Sequence, residues 1–148
     1  MIKTDIIVIG AGPTGLFTIF EAGLLKLKCH LIDYLPQPGG QLAEIYPKKP
    51  IYDIPGFPSV LAGELVDNLM EQAKPFDPGF TLGERAESIE KIDNNNFRVT
   101  TNRGTVHEAP NIIIAGGLGC FAPRKPELEN IDKYEDHGID YIIKDPEK

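Results

Sequence analysis

A glycine-rich turn near the start of the chain has the spacing GxGxxG, which suits the binding of a dinucleotide. Residues 6–15 read Ile-Ile-Val-Ile-Gly-Ala-Gly-Pro-Thr-Gly, an apolar strand that runs directly into the turn. The first glycine allows a tight turn, the second lets the backbone approach a pyrophosphate, and the third lets the following helix pack closely. A proline between them suits the first helical position, where its missing N–H is not needed. The residues expected to meet a diphosphate at this helix N-terminus are Gly10, Gly12, Pro13, Thr14 and Gly15.

The next strand ends in an acid, where the ribose of a dinucleotide would lie. Residues 29–33 read Cys-His-Leu-Ile-Asp, and the intervening segment 16–24 has apolar residues at helical spacing. The carboxylate of Asp33 could accept both hydroxyls of an adenosine ribose, and it would repel a phosphate there. The pattern therefore predicts FAD or NAD rather than NADP at this site. The alternative is a tight strand-to-helix turn followed by a solvated Asp33.

Composition indicates one globular domain and excludes several classes of protein. The 148 residues are 41% hydrophobic and 25% charged, which allows a substantial core. A net charge of −7 without a Lys/Arg-rich run argues against nucleic-acid binding. No apolar run is long enough to span a membrane, and no signal peptide is recognised, so we expect a cytoplasmic protein.

Neither the cysteines nor the histidines have the spacing of a metal or redox site. Cys29 and Cys120 form no CxxC, and the simplest interpretation of Cys29 is a small apolar residue at the start of a strand. The interpretation of His30, His107 and His137 is that they are solvated or core residues. We therefore predict no metal site, and no residue pattern indicates acyl transfer.

The remaining chain alternates loops, one helix and further strands. Residues 34–60 are rich in Pro and Gly and begin beside the predicted nucleotide site, which favours a functional loop. An apolar stripe predicts a helix over roughly 61–76, and the pattern over 80–108 predicts a small antiparallel meander that serves as a crossover. Residues 111–115 are apolar throughout, as in a central parallel strand. The glycine loop that follows, beginning at Gly116, offers a second backbone approach to the cofactor.

These elements predict an α/β fold, a Rossmann-like domain with a parallel sheet, helices and a small β-meander. We expect residues 1–121 to form the nucleotide-binding domain. Residues 122–148 are polar and punctuated by proline, which indicates a linker leading out of it.

Three motifs resemble one family of two-domain flavoprotein reductases. They are Pro-Gln-Pro-Gly-Gly-Gln-Leu over residues 36–42 with Ile-Tyr-Pro at 45–47, Ile-Tyr-Asp-Ile-Pro-Gly-Phe-Pro at 51–58, and Gly-Cys-Phe-Ala-Pro-Arg-Lys at 119–125. The chain resembles, over essentially its whole length, the amino-terminal portion of the thioredoxin-reductase-type ferredoxin–NADP⁺ reductases. These loop motifs are more specific than the glycine fingerprint.

The resemblance implies non-covalent FAD and electron transfer between NADPH and ferredoxin or flavodoxin. The pyrophosphate would meet Gly10, Gly12, Thr14 and Gly15, and the adenosine ribose would meet Asp33. Of the Gly40-Gln41 pair in the loop, Gln41 would lie near the flavin. Tyr46 would stack on the isoalloxazine, although a loop aromatic packed on the domain is the alternative. Ala86 would meet the adenine through its backbone, and Phe121 would lie along the cofactor.

Relative to the family, the chain is incomplete. Such reductases carry a second glycine fingerprint in an NADPH-binding domain and then complete the FAD domain, whereas this sequence stops before both. The full-length protein is expected to be an enzyme and a homodimer, and the 148 residues alone are expected to be inactive. No residue is predicted to be catalytic, because the flavin carries the redox chemistry. A thioredoxin reductase fragment and a non-catalytic nucleotide-binding module remain the alternatives.

Overall fold

The fold is an α/β domain, seen in a computed structural model that describes residues 1–120, 126–128, 130–134 and 137–139. The strands and helices, in chain order, are β1 (Ile2–Lys3), β2 (Ile6–Ile9), α1 (Pro13–Leu24), β3 (Cys29–Asp33), α2 (Gln41–Glu44), β4 (Pro50–Ile51), β5 (Val60–Leu61), α3 (Ala62–Ala73), β6 (Gly79–Leu82), β7 (Ala86–Lys91), β8 (Phe97–Thr101), β9 (Val106–Ala109) and β10 (Asn111–Ile114). Short 3-10 turns cover Lys74–Phe76 and Ile131–Lys133.

A four-stranded parallel sheet in the order β10-β2-β3-β6 forms the centre of the domain. Its middle strands are apolar runs buried on both faces, and the side chains of Ile7, Val8 and Leu31 are fully inaccessible to solvent. Helix α1 packs against one face of the sheet through Leu16 and Ile19. The predicted strand–helix–strand unit is thus confirmed.

The strand β6 corrects the predicted meander. Residues 79–82 were expected within an antiparallel meander beginning near residue 80, but they pair in parallel with β3, with Leu31 opposite Phe80. Four residues that mix Gly, Phe, Thr and Leu give no periodicity that separates the two arrangements. The physical reason for the parallel pairing is long-range, since β6 follows the helix α3 and returns to the same sheet.

The meander itself consists of β7, β8 and β9, joined in antiparallel pairs. The short strand β1 adds to β9 in parallel, so that this second sheet is mixed, in the order β1-β9-β8-β7. The buried side chains Val99 and Ala109 pack with Ile7 and Ile32 of the parallel sheet. The meander therefore covers the face of the central sheet opposite α1.

Two buried histidines and a threonine form a polar link between the two sheets. The hydroxyl of Thr81 in β6 lies 2.8 Å from Nε2 of His30 and 2.9 Å from Nε2 of His107. His107 is fully buried, and among the residues that the structure describes its Nδ1 has no hydrogen bond of good geometry. His30 and His107 are thus core residues, and His137 is exposed. Both outcomes agree with the prediction that the histidines are solvated or core residues.

The long proline-rich segment is more regular than its composition suggests. Within residues 34–60 the short helix α2 forms, and β4 pairs with β5 in an antiparallel ribbon. The helix predicted over roughly 61–76 is observed as α3, and Pro75 lies in the 3-10 turn that follows it. Over the described ranges, no helix is both long and apolar enough to cross a membrane.

The strand β10 is the second correction to the expected fold. Its apolar sequence predicted a central strand, but among the described residues it lies at an edge of the parallel sheet, beside β2 alone. The side chain of Ile114 is 71% exposed and that of Ile113 is 36% exposed. An apolar run alone therefore does not separate a central strand from an edge strand.

Candidate functional site

The carboxyl ends of the parallel strands converge on one edge of the central sheet. At this edge the N–H of Gly10 donates to the carbonyl oxygen of Ile32 at 2.8 Å, and the N–H of Ala115 donates to the carbonyl oxygen of Ile9 at 2.7 Å. The strand order changes direction between β2 and β10, since the chain moves from β2 to β3 on one side and later returns to the other. Crevices at such switch points are where open α/β sheets bind ligands.

The first glycine of the turn is required by close backbone contacts. Gly10 has a φ of +106°, and a Cβ on it would lie 2.3 Å from the carbonyl oxygen of Ala115. A Cβ on Gly15 would lie 2.0 Å from the carbonyl oxygen of Gly10, so helix α1 approaches the strand closely. These contacts are the ones that the fingerprint assigns to its first and third glycines.

A cavity of about 330 Å³ lies above this turn, and it is called here the first lobe. Its lining includes nine of the predicted site residues: Gly10, Gly12, Pro13, Thr14, Asp33, Gly40, Gln41, Tyr46 and Gly116. The rest of the predicted glycine loop, Gly117, Leu118 and Gly119, also lines it, and the lining residues that the sequence analysis did not assign are Leu35, Leu42, Ile114 and Ala115.

The N-terminus of helix α1 opens into the first lobe. Gly12 caps this helix in an extended conformation, and no side chain accepts a hydrogen bond from the free N–H groups of the first turn. The loop after β3 is held against the turn, because the N–H of Gly39 donates to the carbonyl oxygen of Ala11 at 2.8 Å. Gly40 comes so near that a Cβ on it would lie 3.1 Å from the Cα of Gly12. This bare-backbone cradle, with unpaired donors and a positive helix end, suits an anion such as a diphosphate.

The carboxylate of Asp33 is held by backbone donors on both sides. Its Oδ2 accepts from the N–H of Ala11 at 2.6 Å, and its Oδ1 accepts from the N–H of Leu35 at 2.8 Å. A carboxylate oxygen has two lone-pair directions, so each oxygen can still accept a hydroxyl from a ligand. Asp33 is thereby fixed beside the glycine turn, with acceptor capacity to spare.

Tyr46 stands in a turn that is anchored on the start of helix α3. The N–H of Lys49 donates to the carbonyl oxygen of Tyr46 at 3.0 Å, which closes the turn. The N–H groups of Ala62 and Gly63 donate to the carbonyl oxygens of Lys49 and Pro47 at 2.9 and 2.8 Å. The ammonium of Lys49 lies 5.2 Å from the centroid of the Tyr46 ring. The backbone that carries Tyr46 is therefore fixed, and Tyr46 lines the first lobe.

A second cavity of about 200 Å³, the second lobe, adjoins the first and shares Gly10, Asp33, Gly116 and Gly119 with it. Its remaining lining residues are Ile9, Ile32, Tyr34, Glu84, Arg85, Ala86 and Cys120. Hydrogen bonds from the hydroxyls of Thr101 and Thr105 lower the pKa of the Glu84 carboxyl. The Arg85 guanidinium pairs with Glu87 at 2.6 Å, which raises its pKa. Two carboxylates and a paired guanidinium thus border this lobe.

The structure brings the predicted site residues into one cleft with two exceptions. Gly15 does not line either lobe, although it lets α1 pack behind the turn. Phe121 lies outside the described residues. The residues that the sequence analysis missed include Glu84 and Arg85, which follow β6. The feature that could have identified them is the end of a parallel strand just before them. That feature was not recognised, because residues 79–82 were expected to belong to the meander.

The cysteines play different parts in the structure. Cys29 is buried at the start of β3, as predicted, and burial together with the nearby Asp5 carboxylate raises the pKa of its thiol. Cys120 is exposed and borders the second lobe. Within the ranges that the structure describes, no group of three or more His, Cys, Asp or Glu side chains could hold a metal ion.

Comparison with known proteins gives close relatives and a shared fold. The chain is 73% identical over 147 residues to ferredoxin–NADP reductase 1 of Christiangramia forsetii, covering 99% of this chain and 42% of that protein. It is 72% identical over 148 residues to the ferredoxin–NADP reductase of Flavobacterium johnsoniae, covering 100% of this chain and 42% of that protein. The chain therefore spans about two fifths of the length of these curated relatives. No family model matches the chain.

A solved structure of similar fold is the thioredoxin reductase of Lactococcus lactis. It superposes with a TM-score of 0.69 at 22% sequence identity, covering 94% of this chain and 43% of that protein. At this identity the likeness concerns the fold. Over nearly its whole length the chain is therefore similar in sequence to one part of the ferredoxin–NADP reductases, and it shares its fold with a thioredoxin reductase.

Proposed function

We propose that this chain forms the part of a ferredoxin–NADP reductase that binds FAD without a covalent bond. In the whole protein, electrons would pass between NADPH and a ferredoxin or flavodoxin. The observation that carries this proposal is the two-lobed cleft, in which the uncapped N-terminus of helix α1 opens into the first lobe and Asp33 lines both lobes. FAD has two flat ring systems joined through a diphosphate, so that each lobe would take one of them.

The polarity of the cleft supports FAD in one orientation. The diphosphate would lie on the turn between Gly10 and Thr14, at the positive N-terminus of helix α1, which has no side-chain cap. The adenosine ribose would lie at Asp33, and the adenine would enter the second lobe beside Ala86. The isoalloxazine would then occupy the first lobe, near Gln41 and the ring of Tyr46.

The protein's part in this chemistry is binding, orientation and exclusion of water. Bound FAD supplies the conversion between two-electron and one-electron transfer. Tyr46 lines the first lobe and offers a flat ring for stacking. Asp33 and Glu84 place negative charge around the ribose, which favours an unphosphorylated ribose over a 2′-phosphorylated one. None of these steps requires a general base.

We further infer that residues 1–121 belong to the FAD-binding domain and that residues 122–148 lead toward an NADPH-binding domain. The sequence has a single GxGxxG turn, while the curated relatives are more than twice as long. The exposed apolar side chains of Ile114 and Leu118, at 71% and 78%, support a further segment that packs there in the whole protein. A homodimer of the full-length protein remains a prediction from the family resemblance.

A thioredoxin reductase is the second candidate function, because the L. lactis enzyme shares the fold. The much higher identity to ferredoxin–NADP reductases favours the first candidate. A non-catalytic nucleotide-binding module is the third candidate function, and no specific observation favours it.

Titration of the purified chain with FAD tests the proposal. Flavin fluorescence and absorbance should change saturably as FAD binds, and excess ADP should reverse the change by occupying the second lobe. Gly12→Val is the matched variant, since a branched side chain there projects into the space above the turn without replacing a core residue. An absence of saturable binding in the parent chain, at concentrations where ADP also fails to bind, would contradict the proposal.

A further inference from the structure

The turn between β8 and β9 lies against the wall of the second lobe. This turn is Thr101-Asn102-Arg103-Gly104, closed by the N–H of Gly104 on the carbonyl oxygen of Thr101 at 2.9 Å. The wall is the segment Gly83–Ala86, which runs from the end of β6 into β7. Glu84, Arg85 and Ala86 line the second lobe, whereas Asn102 lines neither lobe. Any effect of Asn102 on a ligand therefore passes through the wall.

Asn102 binds both backbone groups of Arg85. Its side-chain Oδ1 accepts from the N–H of Arg85 at 2.8 Å, and its own N–H donates to the carbonyl oxygen of Arg85 at 2.9 Å. A single residue thus engages the backbone donor and the backbone acceptor of Arg85, and it fixes the two peptide groups on either side of that residue. We call this pair of hydrogen bonds the Asn102 clasp.

The wall is tied at three further points. On one side the N–H of Gly83 donates to the carbonyl oxygen of Leu35 at 3.0 Å, and the N–H of Glu84 donates to the carbonyl oxygen of Asp33 at 3.1 Å. On the other side the hydroxyl of Thr101 donates to the Glu84 carboxylate at 2.5 Å. The wall is therefore suspended between the strand end that carries Asp33 and the turn that carries Asn102.

The backbone beyond the clasp is free to meet a ligand. Strand β7 lies at an edge of the described sheet, so one side of its backbone has no ladder partner there. The pairing of β7 with β8 is also irregular between Ala86 and Ser88, which leaves the start of the strand dependent on other contacts. The ring edge of a purine carries donors and acceptors that main-chain N–H and C=O groups can match.

We propose that Asn102 is a positioning residue for the adenosine half of the bound dinucleotide. Through the clasp it holds the main chain of Arg85 and Ala86 at the distance from Asp33 that a ribose and its base require. This inference rests on the proposed function of the cleft. It assigns a part in binding to a residue of the meander that lines neither lobe.

The test measures the two halves of FAD separately, with ADP and FMN as probes. The parent chain and its variants are labelled with ¹⁵N, and amide chemical shifts are followed during titration with each probe, a method that also measures weak binding. In Asn102→Ala, ADP affinity should fall about tenfold, since the wall loses the side-chain hydrogen bond that orients it. FMN affinity should stay within twofold of the parent value. Asn102→Asp should recover most of the ADP affinity, because a carboxylate oxygen can accept from the N–H of Arg85.

The matched control is Asn96→Ala, in the turn at the opposite end of the same meander. There the side chain of Asn96 donates to the Asp93 carboxylate at 3.2 and 3.3 Å, and neither residue lines a lobe. This variant should bind ADP as the parent does, and thermal unfolding of all four proteins separates binding from stability. Unchanged ADP affinity in Asn102→Ala, or an equal loss for ADP and FMN, would overturn the positioning role alone. A parent chain that binds neither probe would overturn the proposed function as well.

Discussion

The carboxylate of Asp33 accepts a hydrogen bond from the backbone N–H of Ala11 at 2.6 Å. This contact joins the end of the second parallel strand to the middle of the glycine turn that follows the first. The acid that would bind a ribose and the turn that would bind a diphosphate are therefore positioned by each other. A change in Asp33 should affect both the affinity for FAD and the shape of the turn.

The first prediction concerns the replacement of Asp33. In Asp33→Ala the affinity for FAD should fall roughly ten- to hundredfold, since charge-assisted hydrogen bonds of about 1.5–3 kcal/mol are lost. Asp33→Asn is the matched variant, because it keeps one oxygen acceptor and nearly the same shape. It should lie between the parent and Asp33→Ala in a fluorescence titration with FAD. Equal affinities for all three proteins would show that Asp33 is only a strand end held by Ala11 and Leu35.

The second prediction is that the ring of Tyr46 contacts the flavin. In the FAD-loaded protein, Tyr46→Ala should raise flavin fluorescence, because a stacked aromatic ring quenches it, and should cost about 0.5–1.5 kcal/mol of stacking. Tyr46→Phe keeps the ring and should leave the binding free energy close to the parent value. A steady fluorescence in Tyr46→Ala would place the flavin away from this side chain.

The parts of the site that are local in sequence were predictable, and the parts made by long-range pairing were not. The glycine turn and Asp33 follow strands whose apolar runs are unambiguous, so their meeting at one sheet edge follows from a strand–helix–strand unit. Arg85 and Asn102 are brought together by the antiparallel register of β7 and β8, in which Ala86 lies opposite Thr101. Arg85 borders the cleft because β6, which precedes it, pairs in parallel with β3. The sequence of β6 is too short and mixed to reveal that pairing. The role of each lining residue toward FAD stays a prediction.

The third prediction concerns turnover by the 148 residues alone. The sequence has one GxGxxG turn, and one diphosphate site cannot hold FAD and NADPH together. NADPH would then lack the fixed orientation toward the flavin that supplies much of a transfer rate. The purified chain with excess FAD should therefore reduce ferricyanide with NADPH no faster than free flavin does. A faster, saturable rate, abolished by Gly12→Val, would contradict the assignment of NADPH binding to another domain.

The last prediction follows from the histidine pair between the sheets. Burial, with a smaller effect of His107, lowers the pKa of His30 to about 4, whereas an unfolded histidine titrates near 6.5. Burial also lowers the pKa of His107, although the Glu84 carboxylate and the Val99 backbone oppose this. The unfolded chain therefore binds more protons than the folded one between about pH 6.5 and 4, so stability should fall as the pH drops through that range.

For His30 the free energy of unfolding should fall by about 3 kcal/mol over this range, which urea unfolding at several pH values measures. His30→Gln should flatten the profile, while His137→Gln, at an exposed position, should leave it as in the parent. A profile that stays equally steep in His30→Gln would show that other groups cause the loss.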